Sequence, residues 1–444
     1  MTSRASSLSF AAVAVALGCT PPRVSDPAVP RRPAASAPLP AAPRPTQTPA
    51  ESEVADALEF VAYAHALSVR SPVTSKEVSR EGGIRLIIAK TEEDVPREAM
   101  IAQGDMFALL ELTPPTYAFV DGLFEQVKQN IAGFYDPDDD TMYLLDDLDG
   151  DVRQTTLAHE LVHALQDQHF RLGERMNYKR GELDKLAALG CFAEGDATSA
   201  MFDATGAPSG ALSGALSADN LRRAMMASIA FSPSGYATPL AMQASLVSPY
   251  VDGFRFVQAL RDRGGWPAVN RAWAEPPTST EQILHLDKYD AREAPLDVAT
   301  PTSKALGSGF ELVDDDVAGE LGLRIAMETW ASRPQAAKAA AGWGGDRYAV
   351  FGRTDADGRS AAFAWTLVFD DELQADEAVA LVQTRFAPCR ERADLGPFAW
   401  ARDGRKLSIV AGPLLRRNDG QVSASPEANC PRSRQWLAEL QESP

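Results

Sequence analysis

The segment His159-Glu160-Leu161-Val162-His163 constrains the fold of this chain more than any other stretch. On an α-helix, residues four apart lie on the same face, so both imidazoles can reach one metal ion. Glu160 lies about 100° around such a helix from His159, where it can take a proton from water at the metal without being a ligand. The segment therefore predicts a helix that carries two metal ligands and a general base.

Length and composition are those of a globular protein with two or three domains. The chain has 444 residues, of which 45% are apolar and 23% are charged. Its net charge of −18 argues against nucleic acid as a partner and against electrostatic docking on anionic lipid. We expect a monomer with an acidic, solvated surface.

The first 18 residues have the features of an export signal. Arg4 supplies positive charge, and the apolar stretch from Leu8 to Leu17 is too short to span a bilayer. The segment ends in Val15-Ala16-Leu17-Gly18-Cys19, which resembles the lipobox of bacterial lipoproteins. The resemblance implies that residues 1–18 are removed and that Cys19 carries lipid; an ordinary secretory signal is the alternative.

The segment that follows is rich in proline and alanine. Ten prolines lie between Thr20 and Pro49, without any apolar periodicity. Such a segment cannot bury a core, so we expect residues 19–50 to be an extended tether. The protein would then contact a membrane only through its lipid anchor. Thr20, rather than Asp, after the cysteine favours the outer membrane or cell surface over retention at the inner membrane.

Three cysteines remain if Cys19 is lipidated. In an exported protein Cys389 and Cys430 are the natural disulfide candidates, which leaves Cys191 buried and free. Two free thiols are the alternative. The chain has no CxxC pair, which argues against zinc ligation by cysteine.

Apolar spacing predicts a mostly helical first part. The helices are expected at 53–69, 97–112, 115–130, 182–203, 251–262, 267–273, 280–286 and 317–332, with a loop near 206–214. Residues 83–88 are predicted to form a buried strand, and 131–136 with 142–145 a β-hairpin. The metal helix is expected to begin just after this hairpin, near Asp151.

Aspartates cluster on both sides of the hairpin's second strand. Residues 138–140 lie in the hairpin turn, whereas Asp146, Asp147, Asp149 and Asp151 precede the metal helix. A calcium site is one interpretation. We favour a turn and a helix N-terminus, where carboxylates suit free amides and the helix dipole.

The chain beyond Gly342 has a different pattern. Strands are predicted at 347–351 and 361–369, a helix at 372–386, and strands at 398–401 and 406–411. This ββαββ order predicts a small α+β module over 342–444 that covers or braces the rest. The whole chain is therefore assigned to the α+β class.

A catalytic zinc ion uses three protein ligands and leaves one position for water. The chain has only three further histidines, of which His65 and His169 are interpreted as structural. Glu194 is the strongest candidate for the third ligand. It lies on a predicted helix 31 residues after His163, which is enough chain for that helix to return beside the first.

An HExxH segment joined to a glutamate on a later helix resembles the gluzincin metallopeptidases, and thermolysin-like enzymes in particular. The resemblance covers about residues 131–197 and implies a zincin-like metallopeptidase domain over 51–341 with a mostly helical downstream part. It implies that His159, His163 and Glu194 bind zinc, and that Glu160 activates water for attack on a peptide carbonyl.

The same resemblance implies roles for residues around this set. Ala132, Gly133 and Phe134, on the strand before the metal helix, would bind extended substrate through their backbone. Thr198 stands where thermolysin-like enzymes carry an aspartate that orients a metal histidine, and Asp196 is expected to face elsewhere. Asp167, one turn past His163, is therefore the candidate for that hydrogen bond.

The tetrahedral intermediate of peptide hydrolysis needs a hydrogen-bond donor for its oxyanion. Gluzincins commonly use a downstream Tyr or His. His285 is the first candidate, with Tyr289 one turn away as a further donor and substrate contact. Tyr250 and Tyr236 are alternatives.

Three hypotheses follow. The first is a zinc-dependent endopeptidase tethered outside the cytoplasm, with a peptide or protein substrate. The second is a catalytically inactive zincin-fold lipoprotein that serves binding or assembly, against which the intact Glu160 argues. The third is a structural protein with an accidental motif, which predicts that His159, His163 and Glu194 do not converge.

Overall fold

The computed structural model describes residues 49–148, 150–205, 217–230 and 237–442. The signal segment, Cys19, nearly all of the tether, Asp149, Tyr236 and the loop at 206–214 lie outside these ranges. Helix α1 begins at Pro49, so the last two residues assigned to the tether are helical. Within the described ranges, no helix combines the length and the apolar character needed to cross a membrane.

The structure is α+β, with helices and a small sheet first and a larger sheet last. The first half contains α1 (Pro49–His65), β1 (Thr74–Val78), α2 (Arg80–Asp94), α3 (Arg97–Leu109), α4 (Phe119–Asn130), β2 (Gly133–Asp136), β3 (Thr141–Leu145), α5 (Gly150–Phe170), α6 (Leu172–Arg175) and α7 (Leu183–Ala204). It continues with α8 (Ala218–Ala230), α9 (Leu240–Ala272), α10 (Thr280–Leu284) and α11 (Leu286–Ala291).

The predicted strand at 83–88 is wrong, because this segment lies inside helix α2. The Ser79 side chain caps the helix by accepting a hydrogen bond from the amide of Gly82. Ile87 and Thr91 are buried while Leu86 is 43% exposed, which is the one-sided burial of a helix. A short apolar run does not distinguish a strand from a buried helix turn. The strand that does form, β1, is polar and was not predicted.

The predicted hairpin is present in a three-stranded sheet of order β1-β3-β2. Strand β1 pairs with β3 in parallel, and β2 pairs with β3 antiparallel. Strand β2 therefore lies at an edge of the sheet, next to α5, which follows β3 in the chain. Gly133 is required there, because a Cβ atom would lie 2.9 Å from the carbonyl oxygen of Tyr143 and 3.2 Å from the side chain of Thr156.

Helices α5, α7 and α9 form the core of the first half. Helices α7 and α9 cross at two glycines: a Cβ atom on Gly253 would lie 1.7 Å from the carbonyl oxygen of Cys191, and one on Gly195 would lie 2.0 Å from the carbonyl carbon of Gly253. The two predicted helices at 251–262 and 267–273 belong to α9, interrupted by non-helical dihedrals at Gly264 and Gly265. This crossing brings two helix backbones close together beside Glu194.

The second half is a seven-stranded sheet with flanking helices. Its elements are β4 (Glu311–Asp316), α12 (Gly319–Trp330), α13 (Arg333–Ala340), β5 (Trp343–Asp355), β6 (Gly358–Phe369), α14 (Glu372–Arg385), β7 (Cys389–Arg390), β8 (Phe398–Asp403), β9 (Lys406–Arg417), β10 (Val422–Ala424) and α15 (Cys430–Glu442). The strand order is β4-β5-β6-β9-β8-β7, with β10 also paired to β9. The predicted ββαββ order is confirmed as β5, β6, α14, β8 and β9.

The sheet includes chain from before residue 342, the predicted start of the module, because β4 pairs antiparallel with β5. The last helix, α15, packs Trp436, Leu437 and Leu440 against the sheet. A disulfide joins Cys389 on β7 to Cys430 at the start of α15, and Cys191 is a buried free thiol. The pairing is the one that the sequence favours.

Candidate metal centre

Two helices bring the predicted ligands together. His159 and His163 lie one turn apart on α5, and Glu194 faces them from α7. His159 Nε2 lies 3.1 Å and His163 Nε2 lies 3.9 Å from Glu194 Oε2. One ligand atom from each of the three residues lies within 4.8 Å of the others. The structure thus produces the convergence that the accidental-motif hypothesis does not predict.

The donor set and its spacing fit a tetrahedral zinc ion. Ligand atoms about 2.0–2.2 Å from such an ion are separated from each other by about 3.3–3.6 Å. The separations of 3.1 Å and 3.9 Å in the structure bracket this range. Among the described residues, His163 Nε2 and Glu194 Oε1 are buried without a hydrogen-bond partner. Both atoms belong to the convergent triad, so they are available to coordinate a metal ion.

Glu160 adjoins this triad without belonging to it. Its Oε2 accepts a hydrogen bond from the backbone N–H of Tyr135 on strand β2, at 3.2 Å. Its Oε1 is buried and has no hydrogen-bond partner among the described residues. The carboxylate is therefore held at one oxygen while the other remains available to a proton, as a general base requires.

Burial dominates the electrostatics of the four groups. It lowers the pKa of His159 to about 4 and also lowers the pKa of His163. Burial raises the pKa of Glu194 to about 7. Burial also raises the pKa of Glu160, and the negative charge of Glu194 raises it further. Neutral imidazoles have the lone pairs that a metal needs, and a divalent cation would offset the two buried carboxylates.

The orientation of strand β2 changes the set of predicted substrate contacts. In an antiparallel pair, facing residues alternate between hydrogen-bonded and non-hydrogen-bonded pairs. The N–H of Tyr135 is directed at Glu160 and thus away from β3. The backbone groups of the neighbouring residue, Phe134, therefore face β3. By this alternation the backbone of Gly133 faces the free edge, and that of Phe134 does not. Ala132 is buried and precedes the strand.

The predicted hydrogen bond from Asp167 to a metal histidine is wrong. Asp167 accepts instead from the backbone N–H of Gly173, at 2.8 Å. Gln166 occupies the predicted place: its Oε1 lies 2.8 Å from His163 Nδ1, and its Nε2 lies 3.0 Å from an oxygen of Asp196. Asp196, which was expected to face elsewhere, contacts Gln166 rather than a metal histidine.

The structure does not bring His285 or Tyr289 to the triad. His285 Nε2 pairs with Glu320 at 2.8 Å, and the Tyr289 hydroxyl donates to the carbonyl oxygen of Glu275. Tyr250 lies at the site instead: its hydroxyl hydrogen-bonds Glu194, and its ring centroid is 5.9 Å from that of His159. Tyr250 is three residues before Gly253, so the close helix crossing places it there.

The remaining histidines have structural partners, as expected. His65 Nε2 lies 2.6 Å from Asp196, and its ring stacks on Trp266 at 4.1 Å. His169 pairs with the carbonyl oxygen of Ser68 at 2.7 Å.

The aspartates considered for calcium are engaged elsewhere. Asp138 pairs with Lys90, Asp139 with Lys76 at 3.0 Å, and Asp147 with Arg80 at 2.6 Å. Asp140 accepts a hydrogen bond from the hydroxyl of Tyr135. These contacts favour the turn and helix-start interpretation.

A second acidic group, Glu281, Glu293 and Asp370, surrounds the ammonium of Lys288.

Comparison with known proteins reaches only the second half of the chain. Residues 309–419 match a family described as a domain of unknown function (DUF8575), which is about a quarter of the chain. No curated protein and no solved structure matches. The matched region runs from β4 through β9 and excludes the helices that carry the candidate metal ligands. It is thus the C-terminal sheet that is similar to a known family, while the candidate metal centre is interpreted from its own geometry.

Proposed function

We propose that the protein is a zinc-dependent peptidase, with His159, His163 and Glu194 as the zinc ligands and Glu160 as the general base. The observation that carries the proposal is the buried triad with unpaired ligand atoms beside a carboxylate that is hydrogen-bonded at one oxygen only. Zinc bound there would polarise a substrate carbonyl and increase the acidity of water.

The chain's own groups supply the other requirements of amide hydrolysis. Glu160 Oε1 can accept the proton of the attacking water, and Tyr135 keeps the carboxylate in place. The Tyr250 hydroxyl hydrogen-bonds Glu194, so we assign to it the oxyanion role that the sequence first gave to His285. Gly133 offers backbone groups at the sheet edge to an extended peptide.

One observation favours a second candidate, a zincin-fold protein that binds zinc without turnover. Glu160 and Glu194 are fully buried, and His159, the most accessible ligand, is only 6% exposed. A peptide would have to displace atoms that cover this site. Under this candidate, zinc stabilises a binding or assembly lipoprotein.

Substitution of Glu160 by Gln separates the two candidates. The substitution keeps the shape of the side chain and removes the base, so zinc content should stay unchanged while hydrolysis of a mixed peptide library falls by about 10²–10⁴-fold. Glu98→Gln, at an exposed position on α3, is the matched control and should leave both unchanged. Stoichiometric zinc without chelator-sensitive hydrolysis in the wild type would support the binding protein.

The anchor and the location remain part of the proposal. We propose that Cys19 is lipidated and that the protein is exported to the periplasm or the cell surface. Mass spectrometry of the mature N-terminus tests this: cleavage before Cys19 with an acylated thiol supports it, and an unmodified Cys19 in a mature chain contradicts it.

A further inference from the structure

One nitrogen of the His163 ring is anchored by a side chain outside the triad. His163 Nδ1 lies 2.8 Å from Oε1 of Gln166, one turn further along α5. His163 Nε2 is buried, has no hydrogen-bond partner among the described residues and lies 3.9 Å from Glu194. The ring therefore offers one free nitrogen to the metal centre.

The acceptors around Gln166 determine which tautomer His163 adopts. The amide nitrogen of Gln166 lies 3.0 Å from the carbonyl oxygen of Ala193 and 3.0 Å from Asp196 Oδ2. A carbonyl oxygen cannot donate, so the NH₂ group must face these two atoms and the amide oxygen must face His163. His163 Nδ1 therefore carries the proton, and the lone pair is on Nε2.

Asp196 in turn holds Gln166. This fully buried carboxylate accepts hydrogen bonds from Gln166, from Trp273 Nε1 at 2.9 Å and from His65 Nε2 at 2.6 Å. Gln166 lies on α5, Trp273 at the end of α9, His65 on α1 and Asp196 itself on α7. The orientation of one metal ligand is thereby connected to the packing of four helices, including the first helix of the described chain.

We infer that Gln166 is a positioning residue that fixes His163 as an Nε2 ligand, and that Asp196, held by His65 and Trp273, fixes Gln166. The inference rests on the proposed function in that it assigns the free Nε2 to zinc. A neutral amide suits this place, because a carboxylate against His163 would add another negative charge next to Glu160 and Glu194. The charge of Asp196 instead lies one side chain further from the metal.

The tautomer is tested on the metal-free full chain, without any need for activity. In protein with ¹⁵N-labelled histidine, the His163 signals are assigned by their loss in His163→Asn. We expect protonated Nδ1 and unprotonated Nε2 in the wild type, and a mixture of tautomers in Gln166→Met. Protonated Nε2 in the wild type would overturn the inference.

The effect on the metal is measured by zinc competition against a chelator. Gln166→Met removes the acceptor at similar volume and should weaken zinc binding by about 10–100-fold. Gln168→Met is the matched control on the same helix: Gln168 bonds the backbone of Arg70 and Ser71 instead, so zinc affinity should not change. Equal zinc affinity in Gln166→Met and wild type would overturn the inference.

A third variant distinguishes positioning from structural support. Gln166→Glu keeps an acceptor for His163 but directs a carboxylate at Ala193 and Asp196, so it should unfold at lower temperature than Gln166→Met and still bind zinc more tightly. Zinc affinity that follows the unfolding temperature in all variants contradicts the inference. Wild-type protein that binds no zinc contradicts the proposed function instead, and the tautomer measurement then decides the role of Gln166.

Discussion

Two buried polar clusters, one at the candidate metal centre and one at the edge of the C-terminal sheet, differ in how completely their atoms are paired. At the sheet edge, Asp346 accepts four hydrogen bonds, from the backbone of Ala318 and Gly319 and from the indoles of Trp343 and Trp365. At the metal centre, Glu160 Oε1, His163 Nε2 and Glu194 Oε1 have no partner among the described residues.

Burial alone therefore does not identify a functional site in this protein. Both clusters are buried and both contain carboxylates whose pKa is raised by burial, as for Asp346 and Glu194. The Asp346 cluster is complete within the chain and joins the start of α12 to strands β5 and β6. The candidate metal centre instead has unpaired buried atoms on three converging side chains, and a bound cation would offset the cost of burying them.

The largest expected effect is the loss of zinc on Glu194→Gln. Removal of a charged ligand should weaken zinc binding by more than the roughly 100-fold expected at most for an outer hydrogen-bond partner. The metal-free protein should lose less than about 1 kcal/mol of unfolding free energy. The reason is that the amide NH₂ group of glutamine can take the place of Glu194 Oε1, which has no partner among the described residues. Zinc competition and urea unfolding of the same sample measure both quantities. A large loss of metal-free stability would remove the contrast between the clusters.

Asp346→Asn should show the opposite pattern. The NH₂ group of the asparagine would replace one carboxylate oxygen and cannot accept hydrogen bonds, so two of the four N–H donors lose their acceptor. We expect this to cost about 2–5 kcal/mol in unfolding free energy. Zinc stoichiometry should stay that of the wild type, since Asp346 contacts none of the metal-centre residues. Urea unfolding and metal content check this. Lost zinc in a folded Asp346→Asn protein would mean that the two clusters are coupled.

Gly253→Ala should affect stability and zinc binding together. A Cβ atom 1.7 Å from the carbonyl oxygen of Cys191 forces α9 away from α7, which we expect to cost about 1–3 kcal/mol. The same displacement moves Tyr250 away from Glu194. Thermal unfolding and zinc competition would show both changes. Unchanged zinc affinity would mean that the helix crossing does not position the site.

A further prediction concerns the pH dependence of stability. Asp184 accepts hydrogen bonds from Thr280, and burial raises its pKa from 3.8 to about 7. A carboxyl group with a raised pKa in the folded state contributes stability at low pH that is lost as pH rises through about 7. The unfolding temperature should therefore fall between about pH 4 and pH 8, and fall less in Asp184→Asn. Glu281 has a similarly raised pKa of about 7, so the slope should not vanish. An identical slope in both proteins contradicts this assignment.

The sequence predicted those parts of the site that follow from local spacing. His159 and His163 share a face because they are four residues apart on one helix, and Glu194 meets them because its own helix returns beside α5. The choice between Gln166 and Asp167 was beyond such reasoning. The two are adjacent, both lie about one turn past His163, and only the position of Ala193 and Asp196 on α7 selects Gln166.

Long-range packing also explains the other errors. Tyr250 reaches Glu194 because Gly195 and Gly253 let α7 and α9 touch, and no local pattern gives that crossing. His285 is similar in type to the expected donor, yet its partner is Glu320. The polar strand β1 forms through pairing with β3, which depends on tertiary contact rather than on its own sequence.

Zinc stoichiometry is the most direct test of the central claim. The wild-type full chain and the double variant His159→Ala, His163→Ala are dialysed against the same zinc buffer, and bound zinc is measured together with circular dichroism. We predict one zinc ion per wild-type chain and none per folded double-variant chain. A folded wild-type chain without zinc, or equal zinc in both proteins, would contradict the account.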